Sequence, residues 1–113
     1  MKLDAVKQTF IVESSELLND MESGLLILEK QPDDHNSINS VFRAAHTIKG
    51  SSGMFGYTGI VEFTHVLENF LEKLRQGKFT INSDMTAILL GCRDHIAELI
   101  SLYTESDSFK PND

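Results

Sequence analysis

"SINSVFRAAHTIKGSSGMFGY", residues 37 to 57, carries both a helix and the outline of a site in one stretch. Ile38, Val41, Phe42, Ala45 and Ile48 recur at intervals of three and four, the period of a helix with one buried face. Asn36 or Ser37 is a suitable N-cap to open it, and fraying is expected around Gly53 to Gly56. Gly50 and Gly53 are poor helix formers, each costing about 1 kcal/mol against alanine. A helix that gives up that stability just after His46 raises the question of what the missing side chains leave room for.

Working outward, the same periodicity predicts three more helices. Before this stretch, Val6, Phe10, Leu17, Met21, Leu25 and Leu28 mark a helix from about Leu3 to Glu29, closed by Pro32, which disfavours helix in the residue before it. The polar run "PDDHNS" is then a short connection. After it, Ile60, Phe63, Leu67, Phe70, Leu71 and Leu74 mark a third helix from about Thr58 to Gln76, ended by Gly77. A fourth opens after Asn82 and Ser83, with Asp84 in its first turn. Its stripe is Met85, Ile88, Leu89, Cys92, Ile96, Leu99, Ile100 and Tyr103. No alternating strand pattern and no internal repeat competes. Four helices with short connections predict an all-α, antiparallel up-and-down four-helix bundle over residues 1–105, with 106–113 as a tail or linker.

The bulk numbers bound the function. With 113 residues the chain is one domain able to bury a single core. A formal net charge of −7 disfavours nucleic acid or an anionic membrane surface as partner. No apolar run approaches the roughly 20 residues that span a bilayer. The opening "MKLDAVKQTF" does not read as a signal peptide. The single cysteine, Cys92, has no internal disulfide partner, which fits a reducing compartment. A cytoplasmic protein is the expectation.

His46 shares a helix face with Phe42, Arg43, Lys49, Gly50 and Gly53, at the border of the buried stripe. Gly50 and Gly53 would give another molecule close access to the imidazole, and Lys49 would offset negative charge added there. On the third helix, "EFTHVLENFLE" places His65, Glu68 and Glu72 on one face, as it does Glu62 and His65. In an antiparallel hairpin, Glu68 or His65 would approach His46. A carboxylate accepting the Nδ1 hydrogen would fix the tautomer and leave Nε2 free. The plainer alternative is that these are solvated polar positions of amphipathic helices. Metal chemistry has less support: Glu62-x-x-His65 lacks the second Glu-x-x-His unit of a di-iron bundle, and a zinc site from His46, His65 and Glu68 has no ligand spacing behind it. His35 in the polar connection and His95 on the fourth helix read as surface residues, and Cys92 as a small core residue. There is no phosphate-binding glycine loop or nucleotide signature.

"FRAAHTIKGSSGMFGY" resembles the phosphorylation motif of histidine phosphotransfer (HPt) domains. More narrowly, it resembles the N-terminal HPt domain of CheA-type chemotaxis histidine kinases. "THVLENFLEKLRQGK" is similar to the helix that follows in that family, and "FIVESSELLNDMESGLLILE" to its opening acidic helix. The resemblance runs from about Leu3 to Tyr103. It implies a four-helix bundle, often with a fifth helix following. It further implies phosphorylation of His46 on Nε2, with Glu68 bonded to Nδ1 and Lys49 and His65 flanking the phosphoryl group. Arg43, Gly50 and Gly53 would face the partner, Gly50 giving clearance. The implied donor is ATP with Mg²⁺ on a separate kinase domain of the same or a partner chain, so no cofactor is expected on this domain. The implied acceptor is an aspartate of a CheY-like or CheB-like response-regulator receiver. A monomeric domain excised from a longer kinase is the expectation. A free-standing HPt protein and a non-catalytic helical docking module are the alternatives.

Overall fold

The computed structural model describes residues 2–105, so the tail expected at 106–113 lies outside the described residues. The four helices are α1 (Lys2–Lys30), α2 (His35–Met54), α3 (Thr58–Arg75) and α4 (Ser83–Glu105). Each packs on its sequence neighbour, and α4 returns to α1 to close the ring, with no close backbone approach across either diagonal among the described residues. That is the up-and-down bundle the short connections require. The long axis of 45 Å is the length of α1, since 29 residues at about 1.5 Å each make roughly 43 Å.

The buried stripes meet along that axis. Met21, Leu25 and Leu28 of α1, Val41 and Ile48 of α2, Ile60 and Leu71 of α3 and Ile96 of α4 belong to one core, all almost wholly removed from water. Each such side chain contributes about 1.5–3 kcal/mol by burial. Helices α1 and α2 approach closely because residue 24 is glycine: a Cβ there would stand 2.7 Å from Val41 Cγ2 and 3.3 Å from the Ser37 carbonyl.

The helix ends show how the sequence sets the register. Helix α2 opens two or three residues earlier than expected, on Asp34 rather than Asn36 or Ser37. The Asp34 carboxylate accepts from the Ser37 backbone N–H at 3.2 Å and from its hydroxyl at 2.5 Å, which satisfies a first-turn donor. His35 is therefore in the first turn of α2, exposed, and not in a connection. Helix α3 has no side-chain cap of its own at Tyr57. Its Gly59 N–H donates instead to the Tyr103 hydroxyl of α4, at 2.8 Å. The helix stops as expected before Gly77, whose φ of +77° suits glycine.

Helices α3 and α4 are the least intimate pair. An apolar groove runs between them, walled by Phe63, Val66, Phe70, Met85, Ile88 and Cys92. Ile88, expected inside, is 66% exposed on its outer rim. Cys92, expected in the core, is half-buried in the groove wall, where burial pushes its thiol pKa up and keeps it protonated.

Candidate functional site

The site is built on the α2–α3 hairpin. Antiparallel packing brings the middle of α3 against the middle of α2 and sets Glu68 beside His46. The Nδ1 atom of His46 lies 2.5 Å from Glu68 Oε2, and Lys49 Nζ lies 2.5 Å from Glu68 Oε1. One carboxylate therefore holds both α2 side chains, a separate oxygen for each. Exposure is graded across the trio: the side chains are 62% exposed for His46, 25% for Lys49 and 11% for Glu68.

Burial alone pushes the Glu68 carboxyl up. The hydrogen bonds and charges of Lys49 and His46 outweigh it and hold the group below its usual value. Glu68 is accordingly ionised at neutral pH and only accepts. In the neutral imidazole the ring proton must then sit on Nδ1, pointing at Glu68, and the lone pair on Nε2. The ring is mostly exposed and the carboxylate that holds its Nδ1 is nearly buried.

The space around the two glycines is open. A Cβ on Gly50 would meet nothing within 4 Å, and one on Gly53 only Val61 Cγ2 at 3.8 Å, an ordinary contact. Arg43 is exposed, and none of the described residues pairs with it. His65 is not part of the hydrogen-bonded trio. It lies exposed on α3, one turn before Glu68, with no hydrogen bond or ion pair among the described residues. Among those residues no three His, Cys, Asp or Glu side chains gather as a metal-ligand set. No helix among them is long and apolar enough to cross a membrane. His95 is exposed on α4, its ring edge-on to Phe63 with centroids 4.7 Å apart.

Sequence reasoning placed Phe42 on the face of His46 but missed Arg75, which meets the Phe42 ring. Phe42 lies one turn before His46 with its ring nearly parallel to the imidazole, and the Arg75 guanidinium lies 4.3 Å from the Phe42 ring centroid. The signal was available in the register: if residue 46 faces 68 across an antiparallel hairpin, residue 42 faces the last turn of α3.

Comparison with known proteins fits this geometry. The family model of the Hpt domain matches residues 5–105. The chemotaxis protein CheA of Salmonella typhimurium is 40% identical over 107 residues, which is 95% of this chain and 16% of that relative. The chain belongs to the Hpt domain family. Among solved structures, the CheA phosphotransferase domain from Thermotoga maritima matches this Hpt domain with a TM-score of 0.79 at 36% identity. The match covers 84% of this chain and 90% of that one. The phosphorylated P1 domain of CheA3 in complex with CheY6 from R. sphaeroides shares the fold, with a TM-score of 0.85 at 24% identity over 92% of this chain and 81% of that one. The Hpt domain thus spans about a sixth of the length of its curated CheA relatives.

Proposed function

We propose that this Hpt domain is the phosphoacceptor module of a chemotaxis-type histidine kinase, with His46 the residue that carries the phosphoryl group. The observation behind this reading is the pinned imidazole: Nδ1 is tied to a nearly buried carboxylate, on a ring that is mostly exposed and beside glycines. The Nε2 lone pair attacks the γ-phosphorus of ATP held with Mg²⁺ on a separate kinase domain, and ADP leaves with the electrons of the broken P–O bond. The Nδ1 proton stays on the ring. As Nε2 bonds to phosphorus the ring gains positive charge, and Glu68 lies against it. Such transfers depend on positioning and charge stabilisation more than on covalent help.

In the second step an aspartate carboxylate of a receiver attacks phosphorus, and the Nε2 lone pair returns to the ring. A CheY-like or CheB-like receiver is the acceptor this reading names; the complex of a related P1 domain with CheY6 supports the first of these. ATP and Mg²⁺ belong to the partner, and this domain binds no cofactor of its own. Lys49, held by Glu68 in the unphosphorylated protein, offsets the added phosphoryl charge. His65, free and exposed nearby, joins it, and Arg43, Gly50 and Gly53 face the docked partner. The setting is cytoplasmic, and the isolated domain is a monomer within a longer kinase chain.

The test is phosphoryl transfer from radiolabelled ATP by a CheA-type kinase core, comparing wild type with His46→Gln. Acid-labile, alkali-stable label on wild type alone is the expected result. No label, from a core that phosphorylates its own full-length parent, would leave a docking module.

A further inference from the structure

Glu68 tethers one atom of the imidazole, and that is not enough to aim it. The Nε2 lone pair lies in the ring plane, so in-line attack requires the plane itself to be held. The torsion that turns the plane is broad and soft for a ring on an sp³ carbon. A second restraint is visible on the other side of His46 from Lys49. The Phe42 ring lies 9° from parallel to the imidazole, with centroids 6.2 Å apart, within the range of offset aromatic pairs. Phe42 has the same soft torsion, and the Arg75 guanidinium 4.3 Å from its centroid restrains it. Arg75 would wander on its long stem, yet its Nε and Nη2 both donate to Glu72 Oε1, at 3.2 and 2.7 Å. The other oxygen of Glu72 accepts from Gln76 Nε2 at 2.9 Å. His46, Phe42, Arg75 and Glu72 therefore form a continuous series of neighbouring side chains.

We propose that Phe42 and Arg75 are positioning residues for phosphoryl transfer: the arginine-backed phenyl ring holds the plane of the His46 imidazole while Glu68 holds its tautomer. The proposal rests on His46 being the phosphoacceptor. It differs from a docking role for Arg75, which would act on partner affinity and leave the ring alone.

The experiment combines kinetics with ring dynamics. Arg75→Gln, Arg75→Lys and Phe42→Leu are assayed as acceptors against saturating kinase core, with His46→Gln as the blank. The order parameter of the His46 ring carbons and its ring ¹⁵N shifts are measured on the unphosphorylated proteins, and backbone spectra verify the fold. Each variant should lower kcat roughly two- to fivefold, the value of an exposed cation–π contact, with KM unchanged. The Phe42→Leu/Arg75→Gln double variant should lose no more than the larger single. Ring order should fall while the ¹⁵N shifts keep the Nδ1–H tautomer. A raised KM at unchanged kcat would make Arg75 a docking cation and overturn the proposal. So would wild-type kcat in Arg75→Lys, or an unchanged order parameter in Arg75→Gln. Absence of label on wild type would instead overturn the phosphoacceptor reading; the ring-order measurement, made without kinase, still decides whether the stack holds the plane.

Discussion

Glu68 is nearly buried while His46, the side chain it grips through Nδ1 at 2.5 Å, is mostly exposed. The site is therefore anchored from below and open above, which suits the proposed relay, in which the ring meets two different partners in turn. Replacing Glu68 by Gln keeps an acceptor for the Nδ1 hydrogen and removes the charge. A charge-assisted hydrogen bond exceeds a neutral one by about 1–2 kcal/mol, so phosphorylation of Glu68→Gln should slow by roughly tenfold. The check is the single-turnover rate with the kinase core in excess, and an unchanged rate would remove the role given to Glu68.

The same carboxyl makes stability depend on pH in a defined direction. Its folded pKa lies below the unfolded one despite burial, because Lys49 and His46 favour the charged form. The stability it contributes is fully present above the unfolded pKa, near the ordinary carboxylate value, and is lost as pH falls through the folded pKa. The stability difference between wild type and Glu68→Gln should shrink as pH is lowered across that window. Lys49→Ala should move the Glu68 titration back upward, followed by carboxyl ¹³C shifts. A pH-independent difference would contradict the assignment.

How far the sequence alone reached can be seen residue by residue. The helices were legible because each buries one stripe, and the 3.6-residue period survives in the letters. The α2 start was not, because Asp33, Asp34, Asn36 and Ser37 are all able to cap and only backbone geometry chooses Asp34. Ile88 obeyed the period yet faces water, since α3 and α4 leave a groove between them. At the site, His46, Gly50 and Lys49 were readable as one helix face. By position alone Glu68 and His65 were both candidates for contact; the family resemblance implied Glu68, and the α2–α3 register sets it against His46. The Phe42–Arg75 contact needs that register as well as side-chain direction, and no local pattern announces it.

Ser52 is wholly buried and its hydroxyl has no hydrogen-bond partner among the described residues. A buried, unpaired hydroxyl costs about 1–3 kcal/mol, and alanine is the better helix former. Ser52→Ala should therefore be stabilising, by about 1 kcal/mol in urea unfolding. A loss of stability would show that the hydroxyl has a partner.

Tyr103 ties the last turns of α4 to the first turn of α3, where Gly59 N–H would otherwise lack an acceptor. Its ring also packs on Tyr57, with centroids 5.0 Å apart, and phenylalanine preserves that contact. Tyr103→Phe should thus cost only the hydrogen bond, about 1 kcal/mol, seen as a fall in Tm of about 4–8 °C. Exchange of the Gly59 amide should quicken in parallel. Unchanged exchange at Gly59 would mean that the hydroxyl does not cap α3.

Gly50 separates fold from function most cleanly. It is exposed on α2, one turn after His46, and a Cβ there touches nothing within 4 Å. On stability grounds alanine should be preferred, by up to about 1 kcal/mol, so Gly50→Ala should raise Tm by a few degrees. Because residue 50 is exposed, a longer side chain can extend from that Cβ into solvent. The same side chain would stand where a kinase or receiver must approach the imidazole. Gly50→Phe should therefore fold at least as stably as wild type while losing most of its phosphoryl transfer in both steps. Normal transfer in Gly50→Phe would mean that the partner approaches His46 from another side, and that the glycine serves no clearance.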